Sequence, residues 1–385
     1  MQRNDLSRSH IPFKQDSTLV SVVELSSKSW LLAGLVPGLK RQPRKTVSTD
    51  PDKLLAQLHR WREEAVKSGQ TVDRIVVAFE AGRDGFWLAR WLQARGIEVY
   101  VIHASSIPVP REHRRAKTDR LDTEMLMRAL LGWLRGEPRH CHMAAIPTLA
   151  EEDAKRSSRE RESLVGEQTR LTNRLQSILV QLGLPKVNIT LRKTAKQLGD
   201  LRTPEGEPIP PHTLAELRRG LERLAVIKAQ IKAIEQARLQ RLKAKPEVGT
   251  HPMLLMLAKV LGLGIETADM LVHEVLSRKL RDHRAVARYA GLTGSPDESG
   301  TLRREQGLAK AGNARVRRGM LQLAWRWLLH QKDSDLAKWF RARTADGRKD
   351  TRKIMIVALA RKLLIALWRY VNTGEVPGGV KLKQA

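Results

Sequence analysis

The chain has 385 residues, and its 70 Lys and Arg against 41 Asp and Glu give a formal net charge of +29. This length allows about two or three domains, and the positive excess favours polyanionic partners such as nucleic acids. The single cysteine excludes an internal disulfide and is typical of a cytoplasmic protein. No stretch approaches the roughly 18 apolar residues that cross a membrane, so no membrane partner is expected.

Strands alternate with helices over residues 1–150. Strands are predicted at four apolar runs, which are residues 19–25, 30–36, 74–80 and 98–102. Apolar residues at helical spacing predict helices over residues 53–67, from about 85 to 95, and onward from about 118. The first two strands form a hairpin, so the order predicts an α/β domain with a mixed sheet.

Four acidic residues accompany these strands and the last helix. Glu24 lies in the first strand and Glu80 ends the third, while Asp119 and Asp122 stand three residues apart on one helix face. Carboxylates brought together repel each other unless a cation lies between them, and Mg²⁺ prefers oxygen ligands. The set predicts a Mg²⁺ site that acts on phosphodiesters. The alternative is a group of surface acids paired with neighbouring arginines, namely Arg114, Arg115 and Arg120.

Cys141 lies between two histidines, which could suggest a zinc site. Adjacent residues seldom ligate one ion, and the chain offers no second cysteine. No zinc site is therefore predicted.

Two long amphipathic helical patterns fill residues 151–248. They flank a Pro-rich break at residues 203–211, which predicts an antiparallel coiled-coil arm. Such an arm could be a structural spacer, or it could hold a partner protomer or a nucleic acid.

Residues 249–385 are predicted to be mostly helical. Gly262 and Gly264 lie between apolar helices, as in a helix-hairpin-helix element whose backbone amides meet DNA phosphates, although a plain helix turn has the same pattern. A polar loop is predicted over residues 289–300, followed by a helix from 313 to about 330. The predicted nucleic-acid contacts of the chain are Arg114, Arg115, Lys117, Arg303, Arg304, Lys310, Asn313, Arg315 and Arg318.

Seven segments together match one family pattern. They are FEAGRDGF (79–86), KTDRLD (117–122), GLGIETA (262–268), YAGLTG (289–294), SG (299–300), KAGN (310–313) and ALARKLL (358–364). By these segments the chain resembles the DEDD-type insertion-sequence transposases, relatives of the Piv-type DNA invertases that are grouped with the bridge-RNA-guided serine recombinases. The likeness runs from about residue 18 to residue 378.

The resemblance implies an RNase H-like (RuvC-like) N-terminal domain whose four acids, Glu24, Glu80, Asp119 and Asp122, bind Mg²⁺. It also implies a C-terminal transposase domain in which Ser299 attacks a DNA phosphate, forms a 5′-phosphoserine link and frees a 3′-hydroxyl. The implied partners are donor and target DNA, a structured guide RNA and further copies of the chain in a dimer or tetramer.

The chain departs from the pattern at the first acid, which is usually aspartate and is Glu24 here. Asp16 precedes the strand and fits the pattern worse. Ser295 competes with Ser299 as nucleophile, but the proline after Ser295 restricts its backbone. Two other functions stay open: a structure-specific nuclease of the Holliday-junction type that uses metal-activated water, and a basic nucleic-acid-binding protein with a degenerate acidic site.

Overall fold

The computed structural model describes residues 9, 11–82, 86–107, 118–137, 140–189, 194, 196–299, 302–308 and 311–383, with the backbone alone at residues 105, 296–299 and 302–306. It divides into two compact units, Met1–Ala150 and Glu151–Ala385. The first unit has the bounds of the predicted first domain, and the second contains the predicted arm and C-terminal domain. No helix within the described residues is long and apolar enough to span a membrane.

A mixed six-stranded sheet forms the centre of the first unit. Its strands are β1 (Thr18–Leu25), β2 (Ser29–Leu35), β3 (Arg44–Ser48), β4 (Arg74–Glu80), β5 (Glu98–Ile102) and β6 (Met143–Ala144). They lie in the order β3-β2-β1-β4-β5-β6. β1, β4 and β5 are parallel to one another. β2, β3 and β6 each run antiparallel to their neighbours, and β3 and β6 are the two edge strands. The predicted hairpin and mixed sheet are confirmed, whereas β3 and β6 were not predicted.

Three helices cover the two faces of this sheet. They are α1 (Pro51–Lys67), α2 (Trp87–Gln93) and α3 (Asp119–Leu134). Successive side chains of a strand point to opposite faces, so β1 and β4 supply two apolar layers. Val23 and Phe79 lie in the layer shared with α1 and α2. Val22 and Ala78 lie in the layer shared with α3.

Two long helices form an antiparallel pair in the second unit. After the short α4 (Leu149–Asp153) come α5 (Arg156–Gln181) and α6 (Pro211–Ala244). Their direction follows from two ion pairs, because Arg174 pairs with Glu216 whereas the earlier Arg161 pairs with the later Glu235. We call this pair the arm. The predicted antiparallel helices are present, and supercoiling of the pair stays a prediction.

A helical core follows the arm. Its elements are α7 (His251–Ala258), α8 (Ile265–Leu271), a π-helical turn (Val272–Leu276), α9 (His283–Tyr289), α10 (Ala314–His330), α11 (Asp335–Arg343) and α12 (Lys349–Thr373). Leu323 and Trp327 of α10 share one buried cluster with Leu363 of α12. Between α7 and α8, Gly262 has a φ of +83°, and a Cβ atom there would lie 2.7 Å from the Cβ of His330. The prediction of a mostly helical C-terminal region is confirmed.

The predicted loop over residues 289–300 is wrong in its second half, which forms a strand. β7 (Gly294–Ser299) pairs antiparallel with β8 (Leu302–Leu308). The register places Asp297 opposite Arg304 and Glu298 opposite Arg303, and opposite charges across an antiparallel pair are stabilising. The Gly, Ser and Pro content of this segment predicted a loop. Composition alone does not show that a later segment, β8, pairs with it.

Buried ion pairs join α6 to α8. The Arg238 side chain is 4% exposed and pairs with Glu266 and with Asp269, whose carboxylate lies 3.1 Å from the Arg238 Nη2. Asp269 Oδ1 also lies 3.2 Å from His273 Nδ1. Charges removed from water require such partners, so this network fixes the base of the arm on the helical core.

Replacement of Arg238 by alanine should destabilise the chain strongly. Arg238→Ala leaves the buried Asp269 without its guanidinium partner, which costs about 3–5 kcal/mol of unfolding free energy. Urea unfolding followed by circular dichroism measures the change. Arg241→Ala, at an exposed position of the same helix, is the control and should cost less than about 0.5 kcal/mol. Equal effects of the two substitutions would contradict the role of the network.

Candidate functional site

Two of the predicted acids lie at the ends of neighbouring parallel strands. Glu24 follows Val23 on β1, Glu80 follows Phe79 on β4, and Val23 and Phe79 are register partners. Glu24 is half-buried and Glu80 is exposed. Because side chains alternate along a strand, both acids belong to the sheet face that α3 covers. The sheet therefore brings these two acids to one edge and one face.

The other two acids lie in the first turn of α3. Thr118 caps this helix, since its Oγ1 accepts a hydrogen bond from the Leu121 N–H at 3.3 Å. Asp119 is exposed and Asp122 is half-buried. Asp122 precedes the buried Leu126 by one helical turn and so lies on the stripe that faces the sheet. Acids in a first turn are also stabilised by the helix dipole, which gives both residues a structural role independent of any metal.

The segment after α3 returns along this helix to the carboxyl end of β5. This direction is evident because Gly132 near the end of α3 faces the His140 ring and Met143 pairs with Ile102 at the end of β5. The chain thus runs back along α3 towards the carboxyl ends of the parallel strands. Glu24 and Glu80 share one edge and one face of the sheet, and their convergence with Asp119 and Asp122 stays a prediction.

The donor chemistry of the four predicted acids suits a divalent cation, since carboxylate oxygens are the ligands that Mg²⁺ prefers. Within the described residues, however, no three His, Cys, Asp or Glu side chains are grouped closely enough to hold a metal ion. The predicted contacts of the preceding basic turn, Arg114, Arg115 and Lys117, lie outside the described residues.

Ser299 is the last residue of β7, opposite Leu302, the first residue of β8. Its competitor Ser295 lies at the other end of β7, at an irregularity of the register between Gly294 and Pro296. Residues 300 and 301, which link the strands, and the predicted contact Lys310 lie outside the described residues. Of Arg303 and Arg304 the structure gives the register position alone.

A buried carboxylate that was not predicted organises the region after this hairpin. Glu274 lies in the π-helical turn, and its side chain is 2% exposed. It accepts hydrogen bonds from Arg159 Nε at 2.8 Å, Arg159 Nη2 at 3.1 Å and Asn313 Nδ2 at 3.0 Å. Burial alone would raise the pKa of Glu274, but the hydrogen bonds from Arg159 and Asn313 and the charge of Arg315 hold it below its usual range.

Three predicted nucleic-acid contacts make contacts within the chain. Asn313 binds Glu274, while Arg315 and Arg318 both pair with Glu162 of α5, the latter at 2.8 Å. Their contact with nucleic acid stays a prediction. The signal for Glu274 was an acid in the mostly apolar run 270–276, because a buried acid must be paired. Its partner Arg159 is 115 residues away along the chain, which hid the pairing from sequence patterns.

Comparison with known proteins gives a consistent result for both units. The profile described as Transposase IS116/IS110/IS902 family matches residues 255–340, and the DEDD_Tnp_IS110 profile, described as Transposase, matches residues 39–183. A Sinorhizobium fredii protein named as a transposase is 43% identical over 372 residues, which cover 94% of this chain and 93% of the relative. The Yersinia enterocolitica transposase for insertion sequence element IS1328 is 22% identical over 307 residues, which cover 78% and 85%. The matched segments include the α3 acids, Glu274 and the β7–β8 hairpin.

The buried Cys141 should resist thiol reagents in the folded protein. It is 1% exposed, its Sγ donates to the Ala129 carbonyl at 3.4 Å, and burial raises the pKa of its thiol to about 12. Because the thiolate is the reactive form, its reaction with a disulfide reagent should be roughly 100-fold or more slower than that of the chain unfolded in guanidinium chloride. Absorbance of the released thiol measures both rates. Equal rates would show that Cys141 is accessible.

Proposed function

Because the chain belongs to the IS116/IS110/IS902 family of transposases, we propose that it cleaves and exchanges DNA strands through a covalent intermediate on Ser299. The observation that carries this proposal is the position of Ser299 at the end of the β7–β8 hairpin. The facing strand begins with Leu302 and continues with two arginines. Arginine is the side chain best suited to bind a phosphate through two hydrogen bonds.

The proposed step is a transesterification that conserves the number of phosphodiester bonds. The Ser299 hydroxyl loses its proton as its oxygen bonds to phosphorus, and the bond from phosphorus to the 3′ oxygen breaks. The 3′ oxygen takes up a proton and leaves as a hydroxyl, while the 5′-phosphate remains on the serine. A 3′-hydroxyl of another strand then attacks this phosphoserine and releases Ser299. Because serine is a weak nucleophile at neutral pH, the first attack requires activation.

The four predicted acids are the proposed metal ligands. We assign Glu24, Glu80, Asp119 and Asp122 to one divalent cation site, with Mg²⁺ as the cation. Such an ion would neutralise the mutual repulsion of the acids and stabilise the charge of a bound phosphodiester. The side chain of Glu24 is one methylene longer than the aspartate usual at this position. Its backbone would therefore lie further from the ion than that of an aspartate ligand.

A structured guide RNA and assembly of the chain into a dimer or tetramer complete the proposal. The net charge of +29 supports polyanionic partners of either kind, RNA or DNA. Binding should therefore weaken steeply as the salt concentration rises, because each phosphate contact releases counterions.

Ser299→Ala should abolish the covalent protein–DNA adduct while the affinity for DNA stays within about threefold, since loss of a nucleophile affects the chemical step. End-labelled donor DNA, Mg²⁺ and the complex purified with its bound RNA are combined and resolved on a denaturing gel. Ser295→Ala, in the same strand, is the matched control and should form the adduct at the wild-type rate. Cleaved DNA without an adduct, unchanged by Ser299→Ala, would identify a hydrolytic nuclease and overturn the proposal.

Asp119→Asn and Asp122→Asn should each lower adduct formation by about 100-fold or more, because a neutral amide binds Mg²⁺ poorly. The double substitution should also remove the rise in melting temperature that Mg²⁺ produces in the wild type. Asp16→Asn, an exposed position before β1, is the control and should leave both readouts unchanged. A wild-type response to Mg²⁺ in the double variant would place the metal elsewhere.

A further inference from the structure

The two chain segments at the base of the β7–β8 hairpin touch backbone to backbone. The Asn313 N–H, beyond β8, donates to the Tyr289 carbonyl, before β7, at 2.6 Å. Gly312 has a φ of +81°, and a Cβ atom there would lie 2.5 Å from the same carbonyl oxygen. Only glycine permits this approach. The hairpin that carries Ser299 is thus closed at its base by residues 289–291 and 311–313.

The side-chain amide of Asn313 makes hydrogen bonds through both its oxygen and its nitrogen. Its Oδ1 caps α10 by accepting from the N–H groups of Arg315 at 3.0 Å and Val316 at 3.3 Å. Its Nδ2 donates to Glu274 Oε2 at 3.0 Å and lies 3.4 Å from the Tyr289 hydroxyl. An amide has one accepting and one donating end, so the cap and the carboxylate together fix its orientation. The hairpin base, α10 and the π-helical turn meet at this one amide.

Glu274 anchors that amide because a buried charge tolerates little displacement of its partners. Arg159 of the arm donates two hydrogen bonds to the carboxylate, and Asn313 donates a third. The carboxylate is fixed by the arm and the helical core and in turn fixes Asn313.

We propose that Glu274 and Asn313 are positioning residues that hold the base of the β7–β8 hairpin and thereby set the placement of Ser299 for attack. This inference rests on the proposed function of Ser299. It assigns Asn313 a role within the protein in place of the predicted contact with nucleic acid. Neither residue touches the reacting atoms in this account, and both act through the hairpin.

Exchange of the two groups tests the proposal. Asn313→Asp keeps a good helix cap but sets a second carboxylate against Glu274. The double variant Glu274→Gln/Asn313→Asp restores one amide and one carboxylate with the same net charge. Asp282→Asn, an acid-to-amide change at the cap of α9, where the Asp282 side chain accepts from the Ala285 N–H at 2.8 Å, is the matched control.

The rate of adduct formation is measured in a single turnover at saturating DNA, beside the affinity for DNA and the melting temperature. We expect Asn313→Asp to lower the rate by about 10-fold to 100-fold, since a hydrogen bond to a charged group is replaced by repulsion, with the affinity unchanged. The double variant should recover most of the rate, and Asp282→Asn should match the wild type. A melting temperature of Asn313→Asp near that of the wild type would show that the lower rate does not come from misfolding.

Three results would overturn the inference: a wild-type rate for Asn313→Asp, a double variant no faster than Asn313→Asp, or an affinity for DNA that falls as far as the rate. The last would restore Asn313 as a direct nucleic-acid contact. Ser299→Ala is measured in parallel to separate the two proposals. If it still forms the adduct, the proposed function fails; if it loses the adduct while Asn313→Asp matches the wild type, the positioning role alone fails.

Discussion

The burial of one carboxylate, Glu274, sets the arrangement of the second unit. A side chain that is 2% exposed keeps its charge only when donors surround it. These partners come from sequence-distant parts of the chain: Arg159 on α5, Asn313 at the cap of α10, and Arg315 two residues after Asn313. Because all of them converge on one group, the arm, the hairpin base and the helical core cannot shift independently. The proposed nucleophile Ser299 lies on a short hairpin and needs this kind of fixed base, since small misplacements of reacting groups lower the rate.

The first unit meets a different constraint, the placement of acids at the ends of two strands and in the first turn of a helix. The local structure around each acid accommodates its negative charge. Asp119 and Asp122 lie in the first turn of α3, where the helix dipole favours negative charge. Glu24 and Glu80 lie at the ends of parallel strands, beyond the buried layers formed by Val22 and Ala78.

The sequence predicts the elements whose signal is local. β4 and β5 are predicted by apolar runs, and the shared helix face of Asp119 and Asp122 is predicted by their spacing of three residues. Prediction from the sequence fails where an element depends on a contact with a residue that is distant along the chain or lies on a paired strand. The β7–β8 hairpin has the composition of a loop, and β7 is recognisable as a strand only through its pairing with β8. Glu274 lies in an apolar run that indicates burial, but its partner Arg159 is 115 residues earlier, so the pairing could not be inferred from neighbouring residues.

The central claim, that Ser299 carries the DNA during strand exchange, is tested most directly by mapping the covalent bond. The adduct formed with donor DNA is digested with nuclease and protease, and the peptides are sequenced by tandem mass spectrometry. The account predicts a nucleotide joined through its 5′-phosphate to the peptide that contains Ser299, at that serine. A nucleotide on Ser295 or any other residue, or cleaved DNA with no modified peptide, would contradict it.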